Sequence, residues 1–367
     1  MPTPAAPAPA AAAAPAARPF LQGSWDYSEP MFSDTGTPGA NAQNFSHPIT
    51  PGGYLRGVTL SVSSAGGVIG AGVLGADAPW SVLQRVELES IDGTSLRYPL
   101  GGYATYLVQK YTRPWDRDPA QDPAFSNTIN PAFRLKVFVE SRATIGVVPN
   151  TDARAQYRIK YALAPLSDWC PTAPTTAPNV TIETYVETYA QPPAADLNGV
   201  PFVAQPPGLA FQRFVSHSTP VTAGGDFKIK AERVGNMIRT LLLVFRDNSG
   251  SQGGAGTRVD LTGDPIRWTL DNTTLLVENR DRRDLVNDEK FGAGAQALDH
   301  RPTGVYVYTR SHHPGEVQGE SWLETTEASL LQWEVNGAPA GGACEIITED
   351  LVPTVDAAHI PAWMIGL

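Results

Sequence analysis

The sequence predicts an all-β protein of two consecutive eight-stranded jelly-roll sandwiches, mainly β with short helices. Three observations lead there. Short stretches alternate apolar and polar side chains with a period of two, the pattern of half-buried strands. Glycine and proline are abundant, at 34 and 33 of 367 residues. Such a composition joins many short strands by structured loops and disfavours regular helices between parallel strands. Finally, words of the first half return in the second at a constant offset.

Residues 1–20 form an Ala/Pro-rich arm. Pro2, Pro4, Pro7, Pro9, Pro15 and Pro19 interrupt what alanine alone would make helical, so extended chain is expected. Phe20 to Pro51 carries Trp25, Tyr27, Phe32 and Phe45 without periodicity, and reads as irregular chain packed along the first domain. Tyr54 to Ser63 is the first clear strand. Gly67 to Gly75 reads GVIGAGVLG, in which Gly70, Gly72 and Gly75 match the spacing of a dinucleotide-binding fingerprint. That motif requires a following helix whose N-terminus meets the pyrophosphate. Here Ala76-Asp77-Ala78-Pro79 follows, so a flexible apolar loop is the expectation.

Val82 to Glu89 alternates as a strand, and Asp92-Gly93 makes a turn. Leu96 to Tyr111 places Leu100, Tyr103, Leu107 and Tyr111 three and four apart, the spacing of a short helix. Thr112 to Pro131 is a long loop rich in proline and aspartate. Phe133 to Val139, Tyr157 to Leu163 and Val180 to Tyr189 are further strands, with a Pro-rich connection from Asp168 to Asn179. Gln191 to Pro207 is Pro-rich again and marks a linker. In the second half, Met237 to Arg246 is a strongly apolar strand and Asp247 to Gly256 a Gly/Ser loop. Pro265 to Leu270 is a strand. Leu275 to Lys290 reads as a helix with a charged face from Arg280 to Asp284. Gly304 to Thr309, Glu327 to Val335 and Ala343 to Glu349 complete the strands. The expected division is an arm at 1–20, a first jelly roll at 21–190, a linker at 191–208, and a second jelly roll with a C-terminal tail at 209–367.

The repeat supports this division. Leu55-Arg56-Gly57-Val58-Thr59-Leu60 aligns with Ile238-Arg239-Thr240-Leu241-Leu242-Leu243 at an offset of 183 residues. Leu83-Gln84-Arg85-Val86 aligns with Ile266-Arg267-Trp268-Thr269 at the same 183. Tyr157 to Tyr161 is set beside Val305 to Tyr308, and each half closes with a strand, around Ile182 and around Ile346. Two β domains of similar plan are the simplest reading.

Charge and chemistry narrow the function. A net charge of −10 argues against a broad grip on nucleic-acid phosphates. Cys170 and Cys344 make no disulfide framework and are expected as free thiols in a reducing compartment. Neither a secretory signal nor an uninterrupted apolar span is read. Glu87 and Glu89 share a strand face, as paired glycosidase carboxylates do, but an ordinary polar face explains them. His312-His313 point opposite ways on extended chain, while His217, His300 and His359 are isolated, so no metal site is expected. Ser81 and Ser321 lie in no nucleophile elbow. Arg280, Arg282 and Arg283 alternate with Asp281 and Asp284 as a neutralised surface. Asn44, Asn179 and Asn272 open glycosylation sequons that have meaning only in a secretory pathway. No catalytic, cofactor-binding or metal residue is assigned.

At this point the chain resembles the double jelly-roll major capsid proteins of tectivirus-like phages. Trp80 to Lys110 resembles the strand, turn and helix of their first jelly roll, with Leu83-Gln84-Arg85-Val86 the nearest words. Met237-Ile238-Arg239-Thr240-Leu241 through Phe245-Arg246-Asp247-Asn248 resembles the opening strand of the second. Asn279 to Lys290 and Gly304-Val305-Tyr306-Val307-Tyr308 resemble its helix and the strand after it. The arm departs from the family, whose members often begin with a polar helical one.

The resemblance implies a structural protein without enzyme activity. It implies a homotrimer whose jelly rolls make a pseudo-hexagonal tile of an icosahedral virion. The implied partners are neighbouring capsomers, penton or vertex proteins and minor capsid proteins. An internal lipid membrane would lie within, touched by the N-terminal arm, with no sequence-specific nucleic-acid contact and assembly in the host cytoplasm. The loops at Thr112 to Pro131 and Gln191 to Pro207 would face outward or a neighbouring subunit. The alternative is a carbohydrate-binding or carbohydrate-active β-sandwich, with Trp25, Trp115, Trp322 and Trp363 exposed for stacking on sugars.

Overall fold

The computed structural model describes residues 16–90, 93, 95–112, 128–140, 146–154, 156–206, 210–221, 227–231, 236–249, 256–278, 302–309 and 322–353. Four antiparallel sheets form in two pairs. In the first half, one sheet runs β1 (Asp26–Gly36), β9 (Asn179–Tyr189), β3 (Tyr54–Ala65), β6 (Ala132–Phe138), with the short β7 (Val148–Pro149) also on β3. Its companion runs β2 (Gln43–Pro48), β8 (Arg158–Leu163), β4 (Leu83–Glu89), β5 (Ser95–Leu100). The second half repeats the plan. One sheet runs β10 (Ala210–Pro220), β18 (Ala343–Pro353), β12 (Met237–Arg246), β15 (Val305–Thr309), with β16 (Leu323–Glu324) on β12. The other runs β11 (Phe227–Lys230), β17 (Leu331–Val335), β13 (Ile266–Leu270), β14 (Thr273–Glu278). Leaving aside β7 and β16, each half therefore has eight strands in the same order, and both are jelly rolls.

The repeat is real at the level of topology. Leu55 and Ile238 sit on β3 and β12, and Leu83 and Ile266 open β4 and β13. Each pair occupies equivalent places in its sheet, as do the closing strands β9 and β18. The pairing of Tyr157–Tyr161 with Val305–Tyr308 is corrected. The first lies on and just before β8, whose counterpart is β17, while the second lies on β15, whose counterpart is β6. Alternating Tyr, Val and Ile words fit any half-buried strand, so without a turn to anchor them they carry no register.

Three further expectations change. Phe20 to Pro51 is not irregular: it forms α1 (Phe20–Gly23), β1 and β2. β1 pairs with β9 along its length and is mostly exposed or half-buried, so no clean alternation marks it. Leu96 to Leu100 is strand, since β5 pairs with β4, and the helix α2 begins only at Gly102 and runs to Thr112. Leu275 to Glu278 belongs to β14, because Asp271-Asn272 closes a two-residue hairpin with Leu270 opposite Thr273. Asp271 takes φ 49°, as such tight hairpins require. The rest of that expected helix, 279–290, lies outside the described residues, as do 1–15 of the arm and 113–127 of the long loop. Sequence reading also passed over β10 and β11.

Two elements position the two halves. α2 has the sequence GYATYLVQKYT, and every residue except Lys110 is buried. A helix buried on nearly every side has almost no solvent face and lies between layers. α2 packs on β4 and β6 of its own half and on β12 of the other. β12 is likewise covered on both faces. Leu241, Leu243 and Phe245 enter the core of the second sandwich. Leu242 and Val244 join the first cluster, with Val305, Val307, Ile347 and Phe214. The uninterrupted apolar run of β12 follows, because a strand buried on both faces has no polar row.

The glycine loop has its own cause. It pairs with the Pro-rich connection through Val68 with Thr176 and Val73 with Thr172. Gly70 adopts φ +56°, and a Cβ there would stand 1.9 Å from Thr175 Oγ1. The glycines let two loops touch; no helix follows to receive a pyrophosphate. Gly70→Ala is expected to destabilise the fold by about 1–3 kcal/mol through strain and crowding, read as a lowered thermal midpoint.

Candidate functional site: the junction of the two sandwiches

One group of buried charged side chains lies where the two sandwiches meet. Asp77 lies in the turn before the 3-10 segment Trp80–Val82. Its Oδ2 accepts Arg246 Nη1 at 2.7 Å and its Oδ1 accepts Arg258 Nε at 2.8 Å. Both arginines come from the second half, Arg246 from the end of β12 and Arg258 from the segment after it. Arg258 also donates Nη2 to the Ala76 carbonyl at 2.8 Å and Nη1 to the Thr303 carbonyl at 3.1 Å. Its guanidinium lies 4.7 Å from the Tyr103 ring centre, and that of Arg246 lies 6.0 Å from it. Burial works to lower the pKa of Arg246, but Asp77 and Glu345 outweigh it and hold the guanidinium above its ordinary value. Burial pushes the Tyr103 phenol well up, so both groups keep one protonation state.

A second contact crosses between β5 and β10. The Arg97 guanidinium sits 4.7 Å from the Phe214 ring centre, and that of Arg213 sits 5.3 Å from the Tyr98 ring centre. Arg97 is only 2% exposed, and it donates Nη1 to the Lys136 carbonyl at 3.0 Å. Gln109 of α2 donates to the same carbonyl at 2.9 Å. Trp80 stacks on Tyr106 of α2 at 3.8 Å between ring centres. The junction is thus apolar in its middle, with arginines buried against aromatic faces and one carboxylate.

At another place the first described residues are clipped to the segment after β9. The Arg18 amide donates to the Pro201 carbonyl and the Val203 amide to the Arg18 carbonyl, each at 2.8 Å. Arg18 Nη2 meets Asp196 Oδ2 at 2.7 Å. Phe20 is buried edge-on against Tyr54 and Tyr189, with centres 5.3 and 6.1 Å away. Tyr54 Oη donates to the Ala204 carbonyl at 2.9 Å. Leu21, Trp25, Leu197 and Val203 remain exposed on these two segments.

The remaining candidates are settled one by one. Glu87 and Glu89 are buried, not on an exposed polar face. Glu87 takes Arg85 and, at 2.6 Å, the Ser95 hydroxyl. Glu89 takes Lys160 at 2.5 Å. Trp322 is buried, 5.5 Å below the Arg239 guanidinium, so it offers no sugar platform. Trp25 is exposed, and Trp115 and Trp363 lie outside the described residues. His217 is half-buried on β10, while His300, His312, His313, His359, Ser321 and the 280–284 charges lie outside the described residues. Cys170 and Cys344 are buried and unpaired, and burial raises both thiols. Among the described residues there is no group of three metal-ligating side chains, and no helix long and apolar enough to cross a membrane. Sequence reasoning missed the Asp77 cluster altogether.

No protein-family model matches the sequence, and no curated protein matches it. Solved structures do. A chain of the atomic structure of Sulfolobus Turreted Icosahedral Virus superposes with a TM-score of 0.64 at 13% identity, covering 92% of this chain and 94% of that one. A chain of the PBCV-1 virus capsid gives 0.60 at 14% identity, covering 89% and 93%. The major capsid protein of bacteriophage PM2 gives 0.53 at 11% identity, covering 91% and 99%. The described residues have a double jelly-roll fold, and these structures cover 89% to 92% of the chain.

Proposed function

We propose that this chain is the repeating structural subunit of a viral shell and not an enzyme. The observation that supports it is the pair of like sandwiches locked side by side by a buried junction, matched over nearly the whole chain by proteins of virus capsids. A lone jelly roll serves many purposes. Two fused in one rigid block are suited to tiling. In this reading the division at 191–208 separates two structural units, and three chains give six sandwiches around one axis, a pseudo-hexagonal capsomer. Capsomers pack into an icosahedral phage shell around an internal membrane, with penton and minor capsid proteins as further partners. The exposed Leu21, Trp25, Leu197 and Val203 fit a contact made near the arm, either with a neighbouring capsomer or with lipid.

Light scattering on the purified chain tests this directly. A mass of three times 39.2 kDa that persists in high salt is expected. A stable monomer at micromolar concentration, with no particle formed in the native source, overturns the assembly.

A further inference from the structure

Asparagine followed by glycine occurs twice in the sequence, at Asn198-Gly199 and at Asn336-Gly337. The dipeptide is chemically labile, because glycine has no side chain to shield its amide nitrogen from the asparagine carboxamide. The fold places the two pairs in opposite surroundings.

Asn198-Gly199 tops the hairpin in which Ala195 bridges Pro201. Leu197, Asn198 and Gly199 are all exposed, and no atom lies within 4 Å of the point where a Cβ on Gly199 would stand. The Gly199 amide donates to the Asp196 carbonyl at 3.0 Å, and this exposed bond must open before the nitrogen can react. Asn336-Gly337 is half-buried in a packed contact. The Asn336 carboxamide donates Nδ2 to the Asp264 carbonyl at 2.8 Å. The Gly337 carbonyl accepts the Thr262 amide at 3.1 Å and the Thr262 hydroxyl at 3.2 Å. A Cβ on Gly337 would press on Thr262 Oγ1 and the Gly263 amide, so the backbone there has no room to swing.

We propose that Asn198 is a site of spontaneous deamidation and isomerisation, and that its conversion loosens the clip on the N-terminal segment. The Gly199 nitrogen gives up its proton and attacks Asn198 Cγ. A carbon–nitrogen bond forms, the carboxamide nitrogen leaves as ammonia, and a succinimide ring closes. Water then opens the ring at either carbonyl. One opening leaves aspartate. The other leaves isoaspartate, in which the main chain runs through Cβ and Cγ. Water enters, ammonia departs, and nothing is oxidised or reduced.

Asp196 links this turn to the clip. Its Oδ1 accepts the Asn198 amide at 2.8 Å and the Val200 amide at 2.9 Å, while its Oδ2 holds Arg18. Pro201 and Val203, just beyond the turn, carry the two backbone bonds to Arg18. Isoaspartate inserts a main-chain carbon before Gly199. Val200 is then displaced from Asp196, and the segment that pairs with Arg18 shifts with it. This concerns the single chain and stands apart from the assembly proposed above.

The full chain is aged in mildly alkaline buffer and its peptides are mapped by mass spectrometry, with isoaspartate labelled by an isoaspartyl methyltransferase. Conversion at Asn198 is expected to run several-fold faster than at Asn336, with isoaspartate among the products. In urea, where the packing is gone, the two sites are expected to convert at similar rates. Equal rates in the folded protein overturn the site. So does an Asn198 that stays an amide in the folded protein while it converts in urea. The clip is read by amide hydrogen exchange. The amides of Arg18 and Val203 are expected to exchange faster in the isoaspartate form, while those of β3 stay protected. The freshly prepared variant Asn198→Asp, which adds the charge without lengthening the chain, is expected to exchange as the unaged protein does. Unchanged exchange in the isoaspartate form overturns the loosening and leaves the site. Faster exchange in Asn198→Asp as well overturns the main-chain cause.

Discussion

Asp77→Ala is expected to cost about 3–5 kcal/mol of stability, the range for removing one partner of a buried ion pair. The magnitude follows from what is left behind. Arg246 and Arg258 have side chains 9% and 14% exposed, and both direct a nitrogen at the Asp77 carboxylate. Without it two guanidinium groups stand close together in a site that water barely reaches, with Glu345 at 3.9 Å as the nearest compensation for Arg246. Arg258 keeps its two carbonyl acceptors, so the loss falls mainly on Arg246. Urea denaturation of the two proteins measures the difference. A change below about 1 kcal/mol, the range of exposed pairs, would show that solvent screens the junction. Adding Arg246→Met to Asp77→Ala is expected to restore part of the loss, since the stranded charge goes with it.

The second large effect lies on β12. Leu242→Ala and Leu243→Ala are each expected to cost about 2–5 kcal/mol, the range for truncating a buried leucine. On a strand with one wet face, one of two consecutive leucines would be cheap to truncate. Here Leu242 is 1% and Leu243 0% exposed, one set against the first cluster and the other in the second core. The same experiment reads cooperativity. Because β12, β15 and β18 serve both sandwiches, one unfolding transition is expected, and Leu242→Ala lowers its midpoint without splitting it. Two separated transitions in the native protein would show that the halves are energetically independent.

Much of this architecture is written in local pattern. Strands with one buried face, such as β6 with Phe133, Leu135 and Val137 inside, declare themselves by period two. β1 does not, because a strand with a largely wet surface needs no apolar row. Leu276, Leu285 and the charged run between them suggested a helix from Leu275 onward because such spacing over a short stretch is ambiguous, and the Asp271-Asn272 hairpin makes Leu275 to Glu278 strand. The junction was half legible. The unbroken apolar run Leu241 to Phe245 of β12 announces an element covered on both faces, but not by what, and the helical spacing of Tyr103, Leu107 and Tyr111 gave no sign that α2 is buried almost all round. The ionic cluster left no trace, since Asp77 and Arg258 are 181 residues apart and no spacing rule joins them. For the same reason Arg97 and Phe214 drew no attention.

The burial of α2 against β12 also has a consequence for the ribosome. The first sandwich is complete once β9 has emerged, yet the chain must be extended from Tyr189 to Pro353 before β12 and its neighbouring strand β18 are both available. At about 5–20 residues per second that interval is on the order of ten seconds or more. Throughout it the outward side of α2 and the Tyr98 strand wait uncovered in the crowded nascent state. The acidic character of the chain, −10 overall, is well placed to keep neighbouring nascent copies apart during that wait.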